Sequence, residues 1–245
     1  MRRGELEQPV FSRRIAELIK KLEMARRIPG SEAWFGVSKH QFRLRPPIVE
    51  AELVAFERRH AVILPDDYRQ FLLLAGDGGA GPYYGIEPLS EWDEWFEEEA
   101  ESPRFLASPC PLVDDAATRQ AWNAALERDA RRARGIVNVG ASPSQAWEAF
   151  LASKWSEWGK GSINICDQGC TFSARLIVSG EARGRIVYLD AQQWYPPYFV
   201  KDLSFIDWYE RWLDDAAVGE PPDYFGFDNP EFGRWSKGRP WPLDT

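Results

Sequence analysis

The chain has 245 residues, enough for one large domain with a substantial core, and its 44% hydrophobic and 28% charged residues are typical of a soluble globular protein. No apolar run approaches the roughly 18 residues of a membrane span, and the N-terminus lacks the apolar segment of a signal peptide. Three cysteines that follow no disulfide-framework spacing (Cys110, Cys166 and Cys170) indicate reduced thiols. The sequence therefore predicts a cytoplasmic protein that makes no membrane contact.

The net charge of −8 is unevenly distributed along the chain. Residues 1–45 carry eleven Lys/Arg and five Asp/Glu, a net of +6, so the remainder carries −14. Apolar residues at helical spacing predict an amphipathic helix from Pro9 to Ile28. A basic helix of this kind can bind a membrane surface or nucleic acid, but in an acidic protein it more often packs on the body of the domain. We expect packing, with residues 1–47 forming a basic N-terminal helix and a crossing segment.

The central stretch runs from Leu64 to Leu89 and follows a helix expected from Ile48 to about His60. Pro65 suits the first turn of a second helix. One apolar stripe marks the buried face of this helix: Tyr68, Phe71, Leu72 and Ala75. A glycine-rich loop ends it, and alternating residues around Gly85 predict a short strand. A phosphate-binding loop precedes a helix and lies at its N-terminus, whereas this loop follows the C-terminus of a helix and has no lysine nearby. Phosphate binding is therefore disfavoured.

The most polar segment follows, from Ser90 to Glu101, where seven of twelve residues are acidic. Trp92, Trp95 and Phe96 fall at i, i+3 and i+4 and predict an apolar edge on an acidic helix. Ser90 followed by Asp93 resembles a capping box. Two interpretations stay open: a solvated face with an aromatic anchor, or a docking surface for a basic partner.

The second half of the chain alternates between helical and strand patterns. After a proline-rich loop, a helix is expected over 116–134, then a strand over 135–140 and a helix that reaches Trp158. Strand patterns predict a strand over 162–166, a turn over 167–169 and a hairpin over 172–190 with one buried face. Ser204, with Asp207 three residues on, predicts the capped start of a helix that reaches Leu213. The Pro/Gly/aromatic tail over 219–245 has no period, and we expect it to pack on the surface or fold on a partner.

The central stretch, LPDDYRQFLLLAGDGGAGPYYGI, resembles the opening signature of the SUKH superfamily, which contains the yeast cell-wall synthesis regulators and many bacterial immunity proteins. The stretch from Ile163 to Asp190 and the helix from Ser204 to Leu213 resemble the closing half of that family. The resemblance implies a single α+β domain over 48–218, in which helices pack on a curved, mainly antiparallel sheet. Residues 90–134 would then be an insertion and 219–245 an extended C-terminal tail.

The sequence offers little chemistry of its own. It contains no Ser/His/Asp arrangement, HExxH motif, phosphate loop or dinucleotide fingerprint. His40 and His60 have no nucleophile or metal partner within a motif, and the C-x3-C spacing of Cys166 and Cys170 lacks a second ligand pair. We therefore expect no enzyme, no catalytic residue, no metal and no cofactor.

Two functions remain as hypotheses. The resemblance implies an immunity protein that neutralises a cognate bacterial toxin with a basic surface, such as a nucleic-acid-targeting enzyme, by occluding its active site. The alternative is an intracellular scaffold or regulator, as in the fungal members. For either, we expect a monomer or weak homo-oligomer that binds protein and not nucleic acid. The candidate partner-binding residues are Asp77, Tyr83, Tyr84, Glu91, Trp92, Asp93, Glu94, Trp95, Glu97 and Glu98.

Overall fold

The computed structural model describes residues 3–102, 104–116, 120, 124, 157–191, 197–221 and 225–226. The strand expected over 135–140 lies outside the described residues, as do most of the helices expected over 116–134 and up to Trp158, and most of the tail. Within the described part, helices combine with one antiparallel sheet, and the predicted α+β class is confirmed.

The helices of the described residues are α1 Arg3–Arg26, α2 Val37–His40, α3 Glu50–Arg59, α4 Asp66–Leu74, α5 Trp92–Trp95, α6 Glu97–Glu101 and α7 Phe205–Ala217, with 3₁₀ turns at Ser31–Ala33 and Leu89–Glu91. Four of the helices (α1, α3, α4 and α7) match helices predicted from the sequence. The stripe predicted on α4 is buried, and its aromatic side chains, Tyr68 and Phe71, pack against Phe205 and Tyr209 of α7. The predicted cap of α7 is also present: Ser204 Oγ accepts a hydrogen bond from the Asp207 backbone N–H at 3.2 Å.

Within the described residues, four strands form the sheet in the order β1-β2-β3-β4, all antiparallel. They are β1 Ser162–Gly169, β2 Phe172–Ile177, β3 Ile186–Asp190 and β4 Tyr198–Phe199. The turn expected over 167–169 is wrong, because β1 continues to Gly169 and the reversal falls at residues 170–171. A register shift between Asp167 and Gly169 explains the difference: Asp167 Oδ1 accepts the Gly169 N–H at 2.8 Å and shapes a local bulge inside the strand.

The hairpin of β2 and β3 was expected to bury one face, and this expectation is wrong because both faces are buried. Ala174, Leu176, Ile186 and Tyr188 face the main core beneath the helices. The opposite face packs against a second, smaller cluster that includes residues from the proline-rich loop: Cys110, Leu112, Trp158, Ile177, Val187, Leu189 and Phe199. The sheet is therefore a middle layer with cover on both sides.

The basic N-terminal helix packs on the body of the domain, as expected. Ile15, Leu18 and Leu22 of α1 belong to the main core, and basic side chains beside them pair with acidic ones of α7. Arg14 lies 2.6 Å from Asp207 and 2.7 Å from Glu210, measured between charged atoms. Part of the positive charge of residues 1–45 is thus neutralised inside the molecule.

Candidate functional site

The glycine-rich loop joins the helical layer to the sheet. Instead of the predicted short strand, it forms isolated antiparallel bridges between Leu44 and Gly79, Gly79 and Ile86, and Ile86 and Cys166. Gly79 has φ of +100°, and a Cβ at this position would lie 2.5 Å from the Arg43 carbonyl oxygen. Only glycine therefore allows the loop to pass so close to its neighbouring segment.

Asp77 stabilises this loop from inside. The residue is 5% exposed, and its two carboxylate oxygens accept the backbone N–H groups of Leu89 and Ser90 at 2.8 and 3.2 Å. Asp77 thus anchors the 3₁₀ turn that leads into the acidic segment.

The two tyrosines of the loop have different surroundings. Tyr83 is buried with φ of +54°, and its hydroxyl donates to the Phe225 carbonyl oxygen at 2.8 Å. Tyr84 is partly exposed, with its ring centroid 5.0 Å from that of Phe35 and 5.4 Å from Lys39 Nζ. The structure therefore places Tyr84 at the surface and Tyr83 under the C-terminal segment.

The acidic segment is not the single helix that the spacing predicted. It consists of the 3₁₀ turn, α5 and α6, separated at Phe96, whose φ of −122° and ψ of +46° interrupt the helix. The capping box expected from Ser90 and Asp93 is also absent, because Asp93 directs its carboxylate to Arg59 and His60 of the neighbouring α3. Tertiary ion pairing has replaced the local cap.

The aromatic edge of the segment is divided between core and surface. Trp92 is 1% exposed and packs edge-on against Phe56 and His60. Trp95 is 47% exposed. One tryptophan therefore fixes α5 to α3, and the other is left facing solvent.

Several of the carboxylates in the segment are already paired. Glu91 lies 2.5 Å from Arg45, and Asp93 accepts from His60 Nε2 at 2.6 Å. Burial lowers the pKa of His60 to about 4, so the ring is neutral at pH 7 and donates its Nε2–H to Asp93.

A buried pair that the sequence analysis missed lies beneath α6. Glu99 is 8% exposed, and its two oxygens accept from Arg175 Nη1 and Nη2 at 3.0 and 2.6 Å. Arg175, with no exposed surface, also donates to Ser162 Oγ at 2.9 Å. The alternation in the hairpin had placed Arg175 on a polar face, and no local signal indicated that an acidic segment would cover it.

Glu94, Trp95 and Glu97 remain exposed, and we call them the acidic ledge. Glu94 and Glu97 have no ion-pair partner among the residues that the structure describes. Glu98 belongs to α6 and stands in the sequence between Glu97 of the ledge and Glu99. The predicted site residues therefore separate into buried residues (Asp77, Tyr83 and Trp92), paired residues at the rim (Glu91 and Asp93), and the exposed ledge.

Another carboxyl group with unusual surroundings lies next to β1. Glu87 Oε2 accepts from Asn164 Nδ2 at 2.8 Å, and burial together with the nearby Asp167 raises the pKa of Glu87 to about 7. Within the described ranges, no group of three or more His, Cys, Asp or Glu side chains gathers in a way that could hold a metal ion. Every described helix is also too short or too polar to cross a lipid bilayer.

The model of the SMI1 / KNR4 family (SUKH-1) matches residues 47–211, which span the glycine-rich loop, the acidic ledge, the sheet and the first half of α7. The chain belongs to the SMI1/KNR4 family. Neither the curated proteins nor the solved structures give a significant match to it. Membership is consistent with an immunity function or with a regulatory function of the SMI1/KNR4 type.

Proposed function

We propose that this SUKH-1 protein is an immunity protein that binds a cognate bacterial toxin and occludes its active site. The observation that carries the proposal is the acidic ledge, where Trp95 is 47% exposed beside Glu94 and Glu97, two carboxylates with no ion-pair partner among the described residues. Tryptophan is enriched among the residues that dominate binding energy at interfaces, and unpaired carboxylates steer a basic partner during association.

The support beneath the ledge strengthens this argument. Trp92 is packed in the core, Asp77 binds the preceding turn, and Arg175 holds Glu99 from below. A surface held in this way loses little conformational freedom when it binds, so more of the contact energy appears as affinity. A nucleic-acid-targeting toxin fits this surface best, because its active site is basic and would accept carboxylates in place of phosphates.

The remaining members of the proposed interface lie at its edges. Glu91 and Asp93 are partly exposed at the rim of the ledge, and Tyr84 presents its ring beside Phe35. Glu98 is included in the proposed interface because the sequence places it in the same acidic segment. We further propose a cytoplasmic protein that acts as a monomer or weak homo-oligomer and uses no cofactor, nucleic acid or membrane.

The test begins with co-purification of the protein with the product of the gene immediately upstream. A stoichiometric complex that blocks the toxicity of that product is expected. The E94K/E97K variant should then associate about tenfold more slowly at low salt. The W95A variant should have a Kd about thirtyfold higher than that of wild type.

A matched control reverses two exposed glutamates elsewhere, E32K/E181K, which changes the net charge equally. The control should bind like wild type. If the ledge variants and the control bind equally well in a complex that does form, the ledge is not the interface.

A regulatory scaffold is the second candidate, favoured by the SMI1/KNR4 membership itself. It would use the same surfaces for a host partner. The absence of a complex, together with the absence of protection on co-expression, would favour this function, and an unbiased pull-down that compares wild type with W95A would then identify the partner.

A further inference from the structure

The described part of the C-terminal tail occupies a built pocket. Phe225 is 5% exposed although it follows α7 by eight residues, and its ring lies 5.8 Å from Trp208. The Arg211 guanidinium lies over the same ring at 4.4 Å. Arg211 is itself fixed by Asp202, whose carboxylate oxygens accept from its Nε at 2.9 and 3.1 Å. An aromatic side chain is thus held between an indole and an oriented cation.

Two hydroxyl groups converge on the backbone of the same residue. The Phe225 carbonyl oxygen accepts from Tyr83 at 2.8 Å and from Tyr188 at 3.0 Å. The Trp208 indole N–H in turn donates to the Tyr188 hydroxyl at 2.9 Å, which fixes the orientation of that group. Double donation to one carbonyl satisfies a buried peptide group that has left regular secondary structure.

The residue after Phe225 must be glycine. Gly226 has φ of +87°, and a Cβ would lie 2.1 Å from the Tyr188 hydroxyl oxygen. Three features therefore favour an aromatic residue followed by glycine. The pocket holds the aromatic ring, two hydroxyl groups bind the carbonyl of the same residue, and the next position has no room for a Cβ.

We propose that Tyr83, Tyr188, Trp208 and Arg211 form a peptide-binding pocket for an aromatic-glycine turn, occupied in cis by the chain's own Phe225–Gly226. The pocket uses the glycine-rich loop, β3 and α7 together, so an occupied pocket fastens three elements to the tail. It shares no residue with the acidic ledge, and its test is independent of the proposed function.

The experiment uses the full chain with a site-specific protease sequence inserted between Glu220 and Pro221. The folded protein is cleaved and passed over a size-exclusion column. The C-terminal fragment should remain bound, and an excess of a fluorescent peptide of residues 221–230 should replace it slowly.

Variants identify the contacts that matter. F225A and G226A should release the fragment at least about tenfold faster, because one empties the pocket and the other introduces a forbidden Cβ. Y83F, which removes a single hydroxyl, should accelerate release while the near-ultraviolet circular dichroism of the bound form stays native. V218A, an exposed change close to the tail, should behave like wild type.

Two results would overturn the proposal. One is separation of the wild-type fragment on the first column passage. The other is that the F225A and G226A fragments are released as slowly as the wild-type fragment, which would mean that other parts of the tail hold the fragment on the domain.

Discussion

At the scale of single residues, Glu87 shows how burial sets a charge. Its carboxyl group accepts from Asn164 in a partly enclosed place beside Asp167. Desolvation and the neighbouring negative charge both disfavour the ionised form, and together they raise the pKa of Glu87 to about 7 from its ordinary value of 4.5. The folded protein therefore binds a proton that the unfolded chain has already released near neutrality.

This shift predicts a pH dependence of stability. Because the folded pKa lies above the unfolded one, the contribution of Glu87 is fully present below pH 4.5 and is lost as pH rises through 7. E87Q keeps an acceptor for Asn164 but cannot ionise. Relative to wild type, we expect E87Q to gain up to about 3 kcal/mol of unfolding free energy between pH 4.5 and pH 8.

Urea denaturation across this pH range measures the effect. E94Q, at an exposed position of the ledge, serves as the control for the loss of one negative charge. Parallel pH curves for wild type and E87Q would show that Glu87 does not titrate as the surroundings require.

At the scale of elements, the pair of Glu99 and Arg175 connects α6 to the sheet. Both side chains are buried, so the removal of one partner leaves the other charge without compensation. Removing one member of such a pair typically costs about 3–5 kcal/mol, whereas replacing both by apolar residues costs far less.

A double-mutant cycle tests this connection. E99L and R175M should each destabilise the protein strongly, and the double variant should be more stable than the sum of the two single effects predicts. Guanidinium unfolding gives the four free energies. Additive effects would contradict a direct energetic coupling between α6 and β2.

The same elements show how far the sequence could predict the fold. The stripe on α4 and the Ser204 cap of α7 depend on residues three to seven positions apart, and both were correct. The hairpin was also found, but its second buried face was missed, because the residues that cover it come from distant parts of the chain. Likewise, the acidic segment has helical spacing throughout, but Asp93 pairs with α3 and Glu99 with β2, and the helix is interrupted between them.

The sequence identified a candidate interface, but it could not show which of its side chains reach the surface. Composition alone identified residues 90–101 as a strongly acidic segment. It could not show that Asp77 and Trp92 point inward while Trp95 points outward, because the orientation of each side chain is set by contacts with α3 and with the glycine-rich loop.

At the scale of the whole molecule, the uneven charge of the sequence has two structural outcomes. Positive residues of α1 meet the acidic side of α7, where Lys21 lies 3.0 Å from Glu210 and 2.5 Å from Asp214. The acidic ledge has no such partner among the described residues. Part of the uneven charge is therefore compensated between α1 and α7, whereas the carboxylates of the ledge have no such compensation within the described part of the chain.

Two variants compare how much ion pairs and apolar burial each contribute to the free energy that keeps α1 packed on the domain. Arg14 and Glu210 have 32% and 26% of their side-chain surface exposed, so solvent screens their attraction, and R14A should cost about 1 kcal/mol or less. Leu18 is 1% exposed in the main core, and L18A should cost about 2–5 kcal/mol. In urea unfolding at 50 mM and 500 mM salt, the R14A effect should shrink at high salt while the L18A effect stays constant. If R14A proved the costlier change at both salt concentrations, ion pairing and not apolar burial would hold α1 on the domain.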